Sequence, residues 1–311
     1  AERLNISKVT VSKALNNQPG VGEALKKQIL QVAAEIGYQL PTERSLDGQT
    51  RMGFLVHRRF NLENENFYSV IFFHLTQECT RLGISLQLVT FDDHSSPDEI
   101  AAGLKSATPD GVFLAGEAQG SILAGVLQTG IKLVGIDFYL PDIRIDFVNI
   151  DNYTAGYMSA QHLIRIGHRK IGFVGNPRYS ANVADRWFGY QKAMLEHDLP
   201  VLPEWNLVNN DMQGVYYAQE PIPDGFPTAY ICHCDMAAYH LIMGLSKQGY
   251  RIPRDVSVLS FDNTELSRST RPLLSSVNLE KAAFAKTAQR QILWRSKHPD
   301  AEPQRILINS T

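Results

Sequence analysis

Three polar side chains stand where binding or catalysis could be built. Asp137 and Asp262 each follow an apolar run of strand type, and Arg186 opens a stretch of helical periodicity. A carboxylate accepts from two vicinal hydroxyls and a guanidinium donates a planar fork of N–H groups, which is the kind of chemistry that holds polyols. Paired carboxylates such as these also support glycoside hydrolysis, but only at a fixed separation that a sequence does not supply. An aspartate at a strand end has a plainer use, capping the turn that follows. For Asp235, just before a helix expected from Met236, capping is the preferred reading. Arg186 is different: a cation at a helix start gains nothing from the helix dipole and needs another reason to be there. Cys232-His233-Cys234 is too compressed for a tetrahedral metal site, and alternation along a strand sends His233 opposite to two buried thiols. No Gly-rich phosphate loop, GxSxG elbow or HExxH run is present. Neither a metal nor a cofactor is called for.

The elements that position these residues alternate regularly. From Met52 the expected order is strand Met52–Val56, helix Phe67–Leu82, strand Leu86–Val89, helix Pro97–Ala107, strand Gly111–Leu114, helix Ser121–Gln128 and strand Lys132–Ile136. After Asp151 the rhythm restarts with helix Thr154–Ile166, strand Lys170–Val174, helix Arg186–Glu196, strand Thr228–Cys232, helix Met236–Gln248 and strand Ser257–Phe261. Arg305 to Thr311 reads as a last strand. Two such runs predict an α/β fold of two doubly wound parallel-sheet subdomains, with ligands in the cleft where strand ends meet. The 311 residues, 44% hydrophobic and 20% charged, suffice for two or three domains. No apolar run approaches the ~20 residues of a membrane span. Three cysteines are too few for a disulfide framework, which points to a reducing, cytoplasmic setting.

The first fifty residues differ from the rest. Residues 1–51 hold seven Lys and Arg against five Asp and Glu, whereas residues 52–311 hold 23 against 27. That excess is only a faint nucleic-acid footprint; the arrangement says more. Thr10 to Leu15 reads as a short helix with Val11, Ala14 and Leu15 on one face, Lys8, Thr10 and Lys13 on the other, and Ser7 as N-cap. Asn16-Asn17-Gln18-Pro19-Gly20 is a turn, and Glu23 to Ile36 is a longer amphipathic helix closed by Gly37. A small polar helix followed by a longer one is how a helix-turn-helix is built.

Ile6-Ser7-Lys8-Val9-Thr10-Val11-Ser12-Lys13-Ala14-Leu15-Asn16 resembles the recognition-helix signature of the lac repressor/galactose repressor family of bacterial transcription regulators. Pro109-Asp110-Gly111-Val112, Val148-Asn149-Ile150-Asp151-Asn152-Tyr153, Asp185-Arg186-Trp187-Phe188-Gly189-Tyr190, Phe261-Asp262-Asn263 and Arg271-Pro272-Leu273 extend the likeness in family order. The resemblance implies a helix-turn-helix head over residues 1–40, its first helix incomplete, a hinge over 41–51, and a periplasmic-binding-protein-like core over 52–311. Within that core it implies one subdomain of about 52–149 and 278–300 and a second of about 151–276 and 302–311, with crossings near Ile150, Val277 and Ala301. The chain would then be slightly truncated at both ends.

The same likeness implies partners and sites. Lys8 and Val9 would face base edges of a near-palindromic duplex operator, and Ser7, Thr10, Ser12, Lys13 and Asn16 would touch phosphates or hold register. Leu46 is the candidate minor-groove wedge. Phe67, Tyr68, Asp137, Asp151, Arg186 and Asp262 would bind a small effector, most simply a sugar or glycoside, with nucleobases the next class. The implied protein is a cytoplasmic, nucleoid-associated repressor acting as a homodimer, not an enzyme and not a membrane protein. Its rivals are a transport-type sugar-binding protein and a glycoside-acting enzyme. Where the family commonly has a polar residue before Asp235, this chain has Cys234, which leaves the cleft with fewer donors.

Overall fold

The computed structural model describes residues 50–60, 67–107, 109–117, 120–211, 214–217 and 225–311, and, nearer the N-terminus, residues 4, 6, 7, 10, 11, 14 and 20–35. The chain divides into one unit of residues 1–50 and another of residues 51–311. In the first unit Ser7 does act as a cap: its Oγ accepts from the Thr10 amide at 3.0 Å, and the Val11 amide closes onto the Ser7 carbonyl. Ala14 is buried, and a helix spans Glu23–Glu35 with Ile29 buried. Lys8, Val9, Ser12, Lys13, Asn16 and Leu46 lie outside the described residues.

The second unit holds two parallel sheets. Strands β1 (Arg51–His57), β2 (Ser85–Phe91), β3 (Gly111–Ala115), β4 (Lys132–Ile136), β5 (Asp146–Ile150) and β11 (Arg305–Ile308) form the first, in the order β11-β5-β4-β3-β1-β2. Strands β6 (Ile171–Val174), β7 (Asn206–Leu207), β8 (Ala229–Cys232), β9 (Ser257–Phe261) and β10 (Ser275–Val277) form the second, in the order β10-β9-β8-β6-β7. The reason lies in the strand sequences. Gly111–Ala115 and Ala229–Cys232 are apolar on both faces, as a sheet covered on both sides requires. Phe54 and Phe113 look toward helices Phe67–Arg81 and Lys281–Lys297, while Leu55 and Leu114 look toward Pro97–Ala107 and Gly120–Gln128. No described helix is long and apolar enough to cross a membrane.

One boundary is corrected. Residues 302–311 were expected in the second subdomain, but β11 lies parallel to β5 in the first sheet, Ile306 opposite Val148. An ion pair holds it there: Arg295, near the end of helix Lys281–Lys297, grips the buried Asp146 carboxylate with Nε at 2.8 Å and Nη2 at 2.6 Å, and the Gln304 amide donates to the same group. Burial opposes ionisation of Asp146, but the Arg295 bonds hold its carboxyl below the usual range. There is no crossing at Ala301; instead Thr311 and Asn278 exchange backbone hydrogen bonds beside the crossing that follows β10.

The second sheet is covered on one side by helices Asn152–Arg165 and Ala181–Glu196, which cross at unusually short range. A Cβ at Gly156 would sit 2.1 Å from the Arg186 carbonyl oxygen, and one at Gly189 would sit 2.0 Å from that of Tyr153. Only glycine admits that approach, so Gly156→Ala or Gly189→Ala should cost about 1–3 kcal/mol of stability in urea unfolding. Gly103→Ala, in mid-helix with nothing within 4 Å, should instead stabilise by about 0.5–1 kcal/mol.

Candidate effector site

Residues that follow β1, β3 and β4 in one sheet and β8 and β9 in the other line a cavity of about 450 Å³. Crevices at the carboxyl ends of parallel strands are where such folds bind ligands. Phe67, Tyr68, Asp137, Arg186 and Asp262 all line it.

Arg186 is buried at 5% exposure. Its helix begins at Ala181, capped by Ser180 Oγ accepting from the Val183 amide, so Arg186 sits in the second turn and not at the helix start expected from sequence. The dipole argument therefore does not apply, and the neighbours supply the reason instead. Nε donates to Asn152 Oδ1 at 2.7 Å, Nη1 donates to the His233 carbonyl, and the guanidinium lies over the Phe261 ring at 4.6 Å. Asp262 Oδ1 is 3.6 Å from Nη1. These contacts fix the plane of the fork at the cavity floor.

Asp137 and Asp262 face the cavity from opposite sheets, and both have left-handed backbone, with φ of 62° and 97°. Such geometry costs a non-glycine residue ~1–3 kcal/mol and clusters at functional sites. Tyr68 donates to Asp137 Oδ2 at 2.8 Å, and Asn182 Nδ2 donates to Oδ1 at 2.9 Å and to the backbone carbonyl at 2.7 Å. Lys281 donates to the Asp262 carbonyl. Burial pushes the Asp137 carboxyl up to about 6 against the pull of Arg186, and Asp262 up to about 7, with Asp235 and Asp137 adding to the rise.

The remaining expectations divide. Phe67 is buried in the first core and reaches the cavity edge, and Tyr68 is tilted against Phe60 with ring centroids 4.3 Å apart. Asp151 is not in the cavity: it caps helix Asn152–Arg165 by accepting from the Thr154 amide at 3.0 Å, because β5 ends directly before it. Asp235 is corrected the other way. Cys234 is the cap of helix Asp235–Lys247, while Asp235 accepts from Ser260, Ser276 and both the amide and hydroxyl of Thr264. The strand ends at Cys232, so alternation stops there and His233 and Cys234 both line the cavity. Cys232 is buried within the core, and Cys234, partly buried, packs against the edge of it.

Asn152, Asn182, Tyr179, Tyr216, Arg59 and Glu117 were missed. Ser180 three residues before Val183 was a readable cap for the helix that carries Asn182; nothing comparable announced Arg59, Glu117 or the tyrosines. Across the cleft, Asp185 accepts from Tyr139 OH at 3.1 Å and from Arg305 Nη2 at 3.3 Å. Among the described residues no group of three or more His, Cys, Asp or Glu side chains is arranged to hold a metal ion.

Compared with known families, residues 1–40 match the model for bacterial regulatory proteins of the lacI family, and residues 160–311 match that of a periplasmic binding protein-like domain. The chain belongs to the LacI family. Its relatives include the HTH-type transcriptional repressor PurR of Glaesserella parasuis, 28% identical over 97% of this chain and 90% of that protein. The ribose operon repressor of Haemophilus influenzae is 25% identical over 100% and 95%. Among solved structures, a transcriptional regulator CelR–cellobiose complex superposes with a TM-score of 0.73 at 22% identity, covering 98% of this chain and 94% of the other. A LacI-family regulator from Enterococcus faecium with bound ribose gives 0.69 at 20% identity, covering 84% and 96%. This LacI-family chain is a DNA-binding transcriptional repressor with a ligand-binding core, and its relatives are repressors rather than enzymes. The glycoside-acting and transport-type readings are thereby set aside.

The carboxyls at about 6 and about 7 lead to a test of the floor. Between the ordinary value of about 4 and these values the native chain holds more protons than the unfolded one, so their contribution to stability falls as pH rises. Asp262→Asn should therefore gain stability relative to wild type as pH rises from about 4 through about 7, in urea unfolding at fixed ionic strength. A pH-independent difference would mean that Asp262 is solvated like a surface carboxylate.

Proposed function

We propose that the repressor is controlled by a sugar or glycoside bound at Asp137, Arg186 and Asp262, with Phe67 and Tyr68 as ring contacts. The observation that carries this is the convergence of a fixed guanidinium fork and two left-handed aspartates on one cavity between two sheets. Planar, multidentate groups of this kind match vicinal hydroxyls. Relatives whose names or bound ligands refer to ribose and cellobiose add support. Asp151, a cap, is left out of the set.

The chain acts as a homodimer on a near-palindromic operator, since one short head spans only a half-site. Lys8 and Val9 read bases; Ser7, Thr10, Ser12, Lys13 and Asn16 contact phosphates or hold register; Leu46 enters the minor groove. The effector acts by preferring one closure state of the cleft.

Arg186→Ala should abolish the effector response and leave operator affinity intact, which also reports that the variant is folded. Unchanged ligand binding by calorimetry would remove Arg186 from the site. Lys8→Ala should relax preference at one operator position by ~1–3 kcal/mol in a competition assay. Equal weakening on all sequences would make Lys8 a phosphate contact. Selection from a random duplex pool should enrich a palindrome, and the winning duplex should bind two chains in sedimentation.

A further inference from the structure

The cavity lining is of two kinds. Asp137, Asn182, Arg186 and Asp262 present charged and polar groups, whereas Tyr216, Cys234, Met236 and Leu266 supply a less polar part of the wall. Tyr216 OH lies 3.0 Å from His233 Nε2 and 2.9 Å from Cys234 Sγ, so the hydroxyl is already partnered within the protein. The Tyr216 ring is held parallel to His233 and His240, with centroids 5.9 and 5.7 Å away and 10° between planes. Burial drives the His233 imidazole down to about 4 and the Cys234 thiol up to about 12, so both are neutral near pH 7. Asp235 beside them is consumed by four hydrogen bonds, two to each oxygen.

The helix cap adds a second, independent observation. An N-cap position favours Ser, Thr, Asp or Asn, because their oxygens accept well from the first free amides. Helix Asp235–Lys247 is instead capped by a thiol, Cys234 Sγ accepting from the Ala237 amide at 3.4 Å. Sulfur is a weak acceptor, so helix stability is given up at a residue that lines the cavity. A local preference broken at a cavity wall marks a functional constraint. Met236, next along, is 42% exposed on the same wall, and its thioether packs readily on a planar ring.

We propose that Tyr216, Cys234 and Met236 form a subsite for a planar apolar group, making the effector a glycoside whose sugar ring sits on Asp137, Arg186 and Asp262 and whose aglycone lies on this wall. The proposal rests on the reading of the cavity as a sugar or glycoside site. A plain aryl aglycone fits better than a nucleobase, whose polar edge would be left unpaired against this wall.

Calorimetry on the full chain tests it with methyl and phenyl β-D-glucopyranoside, methyl and phenyl β-D-galactopyranoside, and ribose and adenosine. In one hexose pair the phenyl glycoside should bind about ten-fold more tightly than the methyl one, from the added apolar burial. Met236→Ser should bring that ratio close to one without changing methyl-glycoside affinity, and Cys234→Ser, which also improves the cap, should lower it. Equal binding of phenyl and methyl glycosides, or a ratio that survives both substitutions, overturns the subsite and leaves the sugar reading standing. Adenosine binding more tightly than either phenyl glycoside overturns the apolar assignment of the wall. Silence from every sugar and glycoside removes both readings.

Discussion

A guanidinium can leave water only where its hydrogens and charge are answered, and the burial of Arg186 is the demand around which this site is arranged. Asn152 answers from one helix, the His233 carbonyl from the end of a strand, Asp262 from the end of another, and the Phe261 ring from below. The Asn152 contact in particular depends on helices Asn152–Arg165 and Ala181–Glu196 standing close together. The glycines at 156 and 189 remove the side chains that would hold them apart. Backbone contact between two helices thus becomes placement of a charge.

The same economy governs the aspartates. Each lies one residue beyond a parallel strand, where the chain must turn and where a left-handed residue re-aims the side chain into the crevice. Asparagine or glycine would turn there at lower cost. Keeping aspartate costs backbone strain and desolvation, and burial raises the two carboxyls to about 6 and about 7.

Much of this was legible in the residues. Gly111–Ala115 and Ser257–Phe261 are apolar runs bounded by turns, and helix Pro97–Ala107 has both its start and its face in its sequence. Helix Lys281–Lys297 was not legible, because eight of its 17 residues are Lys, Thr, Gln or Arg and two of its glutamines are buried in place of apolar residues. Strand β10 spans three residues, too few to show a period. The strand Arg305–Ile308 was recognised, but its sheet was not, since pairing rests on the Arg295–Asp146 contact, 149 residues apart. The structure brings Arg186, Asp137 and Asp262 to one cavity, whereas Asp151 caps a helix, since a cap and a ligand carboxylate look alike until the helix start is known. Tyr216 and Met236 had no signal at all, as loop aromatics and first-turn methionines have no fixed meaning in sequence.

Asn182 belongs to the second subdomain and Asp137 to the first, and the hydrogen bonds between them span the cleft at the cavity floor. Asp137 Oδ1 is therefore a shared acceptor, open to a visiting hydroxyl and already serving as a fastener between the halves of the molecule. Any occupant that draws on that oxygen works as a shim in a joint: it cannot be seated without resetting how firmly, and at what angle, the two halves are clasped. On the proposed reading, recognition and mechanical response become one event at one atom.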